Sequence, residues 1–314
     1  MDEKELTRIY WNKELKRRYL AGERDFRGLD QKNLYLSYYC LIDIDLSRAN
    51  LKESEFTRTS LINAKFIEAN LEKAGFNSTL LINANLSNAN LSHATLVNAD
   101  LTGADLTGAD LTGADLTDAV LIETNLTDAN LTDIKTTEQT IFHQVTMPDG
   151  RIQNDLNRAV SAEELLLRYA EGEQNFHNKI LHRIDLSGAD LRDLSLSNSH
   201  ASYVNFSGAC LENNRGLGKE VIFCDLRNAR LSRPEDWLAG RFIYCDLREA
   251  NLAGLDMSNA SFIGSNLLGA KNCLSGGIQE DLFFYQTTWS NGEFIAGPIN
   301  ATSHWRGEIR EGEF

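Results

Sequence analysis

Leucine or phenylalanine returns at every fifth residue through the first half of this chain. Stepping by five from Phe26 to Leu131 gives 22 positions, and all but Gln31 are Leu or Phe. Two residues earlier, from Ala49 to Ala129, all 17 positions are Ala, Ser or Thr. The unit is small–polar–Leu–x–x, and over residues 99–119 it reads ADLTG almost without change.

Neither regular element absorbs a period of five. On a helix each step turns the side chain by about 140°, so the leucines would spiral round the cylinder instead of forming one stripe. On a continuous strand an odd step alternates faces and would leave every second Leu in water. The period instead predicts a three-residue extended piece, its small residue and Leu pointing inward, followed by a two-residue corner. A chain turning this way must coil, and stacked coils hydrogen-bond at strand spacing, about 4.8 Å. Leu101, Leu106, Leu111 and Leu116, with Ala104 and Ala109, are then expected to line the interior. Gly103, Gly108 and Gly113 fall on the second corner residue, where a permissive backbone is useful.

These residues closely resemble the pentapeptide-repeat family. The resemblance implies an all-β solenoid, a right-handed quadrilateral β-helix with one quintet on each of four sides.

A second alignment shows that the architecture occurs twice. LKRRYLAGERDF (15–26) matches LLLRYAEGEQNF (165–176) at Leu15/Leu165, Arg18/Arg168, Tyr19/Tyr169, Gly22/Gly172, Glu23/Glu173 and Phe26/Phe176. Each copy precedes a run of quintets, and each run closes on a similar phrase, TMPDG (146–150) and TWSNG (288–292). Two capped modules are expected. Residues 1–150 would hold a cap helix over about 5–21 and coils over about 26–134. Residues 151–314 would hold a cap helix over about 162–171 and coils over about 176–271, with irregular loops and a tail. The bracketing phrases are similar to those of cyanobacterial members of the family.

Caps are needed because a solenoid's end coil exposes apolar side chains and unpaired backbone. Ser161 and Glu164 form a capping-box pattern. Leu165, Leu166 and Tyr169 are expected to lie on the first coil of the second module, with Gly172 ending the helix. Ile141, Phe142, Val145 and Met147 are expected to form a lid at the far end of the first module. Leu282, Phe283, Phe284 and Trp289 would do the same for the second.

The second module is less regular, breaking at ENNRGLGKEV (212–221) and SRPEDWLAG (232–240). FCDLRNARL (223–231) and YCDLREANL (244–252) are offset by 21, which predicts a one-residue bulge and puts Cys224 and Cys245 in the inward small-residue slot of adjacent coils. A spacing of about 5 Å would permit a disulfide. A reducing compartment favours two free thiols in an alanine-sized slot.

Composition narrows the function. No apolar run approaches the length of a membrane span, and the charged start MDEKELTRIY lacks the apolar core of a signal peptide. The expectation is a cytoplasmic protein without membrane contact. Net charge is −14, and residues 74–134 contain no Lys or Arg. Direct nucleic-acid binding needs a basic stripe and is not expected. An acidic surface can still attract a protein.

With a four-sided coil, Asp100, Asp105, Asp110 and Asp115 fall on four different faces, and the columns through Asp105 and Asp110 place amides above and below them. Acceptance of corner N–H groups by these side chains explains why Asp and Asn interchange there. Some members of the family are DNA mimics that bind DNA gyrase and protect it from quinolones. Mimicry needs charge drawn out along one or two faces, whereas here it circles the rod.

The five cysteines include no CxxC pair, and the six histidines show no metal-ligand spacing. No nucleophile elbow or phosphate loop is legible. The expectation is no catalytic residue, no cofactor and no metal. The sequence therefore points to a non-enzymatic protein–protein interaction scaffold or regulatory binding module, its partner an unidentified protein. The candidate partner surface comprises Trp237 with Arg233, Glu235 and Asp236 on the second break, and the aspartates Asp105, Asp110 and Asp115. The alternative is an acidic DNA mimic acting on gyrase.

Overall fold

The computed structural model describes residues 3–300 apart from 215, 218–219, 232–240, 254–259, 274–282 and 297–298. The chain divides into two compact units, Met1–Asp155 and Leu156–Phe314.

Unit 1 opens with helix α1 (Glu3–Leu20) and continues as a four-sided β-solenoid. The four sides are visible as parallel bridges between residues 20 apart, for example Asn85↔Asp105, Asn90↔Asp110, Thr95↔Asp115 and Leu80↔Asp100. The central leucines Leu101, Leu106, Leu111 and Leu116 are at most 1% exposed, and Ala104 and Ala109 are fully buried. Phe56, Phe66 and Phe76 replace leucine in the early coils; Phe56 and Phe76, one coil apart, stack with centroids 4.9 Å apart.

The hydrogen bonds of one quintet show why the coil has this shape. Take Ala104, Asp105, Leu106, Thr107 and Gly108. The amide of Ala104 donates to Leu101 O (2.9 Å) and closes the previous corner as a turn. Those of Asp105, Leu106 and Gly108 reach neighbouring coils at Ala84 O (2.9 Å), Asn125 O (2.8 Å) and Thr127 O (2.8 Å). The remaining amide, Thr107 N–H, donates to the Oδ1 of Asp105 (3.0 Å). All five donors are thus satisfied, as buried or half-buried backbone requires.

In unit 1 the second corner residue is left-handed from Gly28 to Asp133. Gly108 has φ +67°, but Glu53, Lys73 and Tyr38 also stand there at φ 60°, 58° and 68°. Left-handed backbone costs an ordinary residue about 1–2 kcal/mol. The inter-coil bond from the same residue's amide, such as Lys73 N to Ser92 O at 2.9 Å, holds it there.

The inward small position tolerates a hydroxyl because it has an acceptor to reach. Thr59 donates from Oγ1 to Leu36 O at 2.6 Å, and Ser199 from Oγ to Phe176 O at 2.8 Å. Cys224 and Cys245 occupy this slot in unit 2 and are both buried. The Cys245 thiol reaches Val221 O at 3.2 Å, and the Cys224 thiol Ile222 O at 3.4 Å. All five cysteines of the chain are free.

The far end of unit 1 differs from its sequence reading. Residues 141–147 are not a lid but a further rung. Strand β1 (Val120–Ile122) pairs in parallel with β2 (Ile141–His143), and Phe142 sits over Leu121 in the central column. The rung continues into β3 (Val145–Thr146), which is closed by an antiparallel partner, β4 (Ile152–Gln153). The turn between them is TMPDG, in which Met147 N bonds to Arg151 O (2.8 Å) and Gly150 N to Met147 O (2.8 Å). The antiparallel strand covers the edge that the last coil would leave open.

Unit 2 begins with α2 (Ala162–Ala170), whose N-cap Ser161 accepts from Glu164 N at 3.1 Å. Leu165 is buried, but Leu166 is 38% exposed and does not lie on the first coil as the sequence suggested; the helix buries the neighbouring residue instead. One side of the solenoid is a parallel sheet of β5 (Ile180–His182), β6 (His200–Ser202), β7 (Glu220–Ile222), β8 (Arg241–Ile243), β9 (Ser261–Ile263) and β10 (Phe283–Tyr285). The register advances by 20 from His200 to Glu220 and by 21 from Glu220 to Arg241, so only the second break adds a residue. Phe284 lies over Phe262 in the central column, again as a further rung and not a lid. Then β11 (Thr287–Thr288) pairs antiparallel with β12 (Phe294–Ile295). Their turn repeats the bonds of unit 1, Trp289 N to Glu293 O and Gly292 N to Trp289 O. Last, β13 (Ile299–Asn300) pairs antiparallel with β10. Leu282 lies outside the described residues.

The helix-to-coil junctions are also duplicates. Arg18 forks onto Glu23 and lies over the Phe26 ring, 4.9 Å from its centroid. Arg168 forks onto Glu173 and lies over Phe176 at 5.0 Å. The hydroxyls of Tyr19 and Tyr169 reach Ile42 O (2.9 Å) and Arg192 O (2.8 Å), each 23 residues ahead. The matched residues of the sequence repeat are thus the ones that fasten each helix to its first coils.

Replacing Leu106 by Ala is expected to lower stability by about 2–5 kcal/mol in urea unfolding, the usual range for a buried leucine. Tyr169→Phe is expected to cost about 0.5–1.5 kcal/mol, one hydrogen bond, and Tyr19→Phe a similar amount, both measured by calorimetry.

Candidate functional site

A surface candidate lies in the middle coils of unit 1. Residues 74–134 carry Asp100, Asp105, Asp110, Asp115, Asp118, Glu123, Asp128 and Asp133 and no Lys or Arg. Asp105, Asp110 and Asp115 are half-buried on three successive sides, whereas Asp100, on the fourth, is 2% exposed. Asp118, Glu123, Asp128 and Asp133 all take the left-handed corner position, with φ between 53° and 57°.

Each of the three half-buried carboxylates is held by its own corner. Asp110 Oδ1 accepts from Thr112 N (3.0 Å) and Thr112 Oγ1 (2.6 Å). Above it, Asn130 Nδ2 donates to Asp110 Oδ1 at 3.3 Å and to Thr112 Oγ1 at 2.8 Å. Asp105 accepts likewise from Thr107 N and Oγ1, and its second oxygen accepts from Ser87 Oγ at 3.0 Å. Asp115 accepts from Thr117 N at 3.0 Å, and Lys135 Nζ lies 3.9 Å away. The flanking amides Asn85 and Asn90 make the same bonds to Ser87 and Ser92. No like charges stack directly in these two columns, Asn85–Asp105–Asn125 and Asn90–Asp110–Asn130.

These bonds fix the protonation state. The hydroxyl and amide of Thr112 hold the Asp110 carboxyl below the usual aspartate range, and the Thr117 hydroxyl leads the same effect at Asp115. At Asp105 burial is the largest influence and opposes ionisation, but the Thr107 and Ser87 donors together outweigh it. Groups ionised so firmly do not exchange protons near neutral pH, which is what acid–base chemistry requires.

Unit 2 treats the same position differently. There Arg replaces the first-corner Thr, and Arg227 and Arg248 fold back onto Asp225 and Asp246 with Nη2–Oδ2 distances of 2.6 Å. Asp190 and Arg192 do the same at 2.7 Å. The corner stays satisfied while its charge is neutralised at these three sites, whereas the middle coils of unit 1 have no Lys or Arg to do so. A groove on the early coils of unit 1, lined by Asp25, Arg27, Asp45, Ser47, Arg48 and Lys65 among others, holds the Arg27–Asp25 ion pair, 2.6 Å. The Arg27 guanidinium there holds the Asp25 carboxyl at about 2.

Polar side chains on the β5–β10 side of unit 2 escaped the sequence reading. His200 is buried beside Glu220, and burial pushes its imidazole down to about 4 against the pull of that carboxylate. Glu220 Oε1 accepts from Arg241 at 3.1 Å. The 20-residue spacing of His200 and Glu220 could have placed them side by side, but not their burial. Trp237, Arg233, Glu235 and Asp236 lie outside the described residues. Among the described residues, no helix is long and apolar enough to cross a membrane.

Comparison with known proteins gives this surface a family. A model described as "Pentapeptide repeat region" matches residues 54–131, and one described as "Pentapeptide repeats (8 copies)" matches 180–213 and 241–271. This is a pentapeptide-repeat protein. Among solved structures, this pentapeptide-repeat protein is similar to Rfr23 from the cyanobacterium Cyanothece 51142, at 29% identity over 41% of this chain and 97% of that one, with a TM-score of 0.32. It is also similar to HetL of the cyanobacterium Nostoc sp. strain PCC 7120, described as involved in heterocyst differentiation regulation, at 24% identity over 90% of this chain and 98% of that one, TM-score 0.26. A third similar structure is full-length QnrB1, a plasmid-mediated fluoroquinolone resistance protein, at 12% identity over 83% and 93%, TM-score 0.28. No curated protein matches.

The bond geometry predicts that Asp110→Asn is nearly neutral, since an amide oxygen can take the same place, whereas Asp110→Ala leaves the Thr112 amide unserved and costs about 1–3 kcal/mol. It also predicts an acid limb. A carboxyl whose folded pKa is depressed contributes stability that is fully present above its unfolded value, near 4 for aspartate. That stability is lost as pH falls through the folded value. The melting temperature should therefore hold from pH 7 to about 5 and fall below about 4, and the Asp110→Asn variant should show a shallower fall.

Proposed function

We propose that the chain is a non-enzymatic binding module that offers a rigid acidic surface to a protein partner. One observation carries the reading. Apart from the buried Asp100, the carboxylates of residues 74–134 reach the surface with no Lys or Arg in the span, and the three central ones are locked by their own corners. Surface charge fixed in place on a stiff scaffold loses little side-chain entropy when a partner binds. Complementary charge also raises the rate of encounter and discourages wrong partners. The chemistry that fits is a basic patch on a folded protein.

The test is affinity capture from the native host with three baits: the wild type, a variant carrying Asp105→Asn, Asp110→Asn and Asp115→Asn, and a variant lacking residues 232–240. The reading predicts a protein held by the wild type at low salt, released as salt rises, and weakened by the triple variant while the deletion leaves it bound. Loss with the deletion alone would move the surface to that segment. A supercoiling assay with purified gyrase addresses the second reading, which the lysine- and arginine-free span favours. Inhibition at micromolar protein, relieved by added DNA, would replace the scaffold reading with duplex mimicry; no inhibition would end that alternative.

A further inference from the structure

No further inference is drawn: the strongest candidate, the outward isoleucine ladder of Ile42, Ile62, Ile82 and Ile122 along one corner of unit 1, is buried yet lies outside the hydrophobic core of that unit, and nothing in the structure shows what covers it.

Discussion

A coil that turns every five residues strands one backbone donor at each corner, and the hydrogen bond that serves it governs the rest of the structure. Neighbouring coils and the turn itself reach four of the five amides in a quintet. Where an aspartate or asparagine stands two residues before, the fifth, on the first corner residue, donates to that side chain, as at Asp105–Thr107 and Asn125–Thr127. Asp and Asn interchange at this place because both present an oxygen at the same reach. At Asp105 and Asp110 the column neighbours above and below are asparagines, so charge is gathered there without being stacked. The acidity of residues 74–134 is thus first a structural device.

The interior leaves little room for other roles. Its columns are hydrocarbon, interrupted by hydroxyls and thiols that donate straight to a carbonyl, as Thr59 does to Leu36 and Cys245 to Val221. Burial raises the Cys245 thiol well above its ordinary value, so it lacks the thiolate character that reactivity needs. On the outside, unit 1 keeps its carboxylates free of arginine in the middle coils, and unit 2 folds arginines onto Asp190, Asp225 and Asp246. The same corner solution thus occurs with Thr as the donor, as at Asp105 and Asp110, and with Arg, as at Asp225 and Asp246.

Much of this was legible in the sequence because each quintet repeats one physical constraint. The period fixed the inward positions, the 20-residue column arithmetic set Asp105 and Asp110 between amides, and the repeated RY…GE…F phrase marked both cap junctions. The failures have local causes. Ile141, Phe142 and Val145 looked like a lid because the period of five lapses before them, yet the backbone pairs on and Phe142 enters the central column 21 residues after Leu121. Leu166 looked inward because hydropathy alone does not choose between adjacent helix positions. Bulky residues at left-handed corners, such as Tyr38 and Lys73, run against local propensity, and only the inter-coil bonds explain them. The burial of His200 and Glu220 left no mark in the repeat at all.

The corner hydrogen bond is tested most directly by native-state hydrogen exchange at the amides of Thr107, Thr112 and Thr117. These residues lie at half-buried corners, where an unserved amide would exchange quickly. Protection comparable to the inter-coil amides of Leu106 and Leu111, lost at Thr112 alone in an Asp110→Ala variant and kept in Asp110→Asn, is the result expected. Fast exchange at all three in the wild type, or protection of Thr112 unchanged by Asp110→Ala, would contradict it.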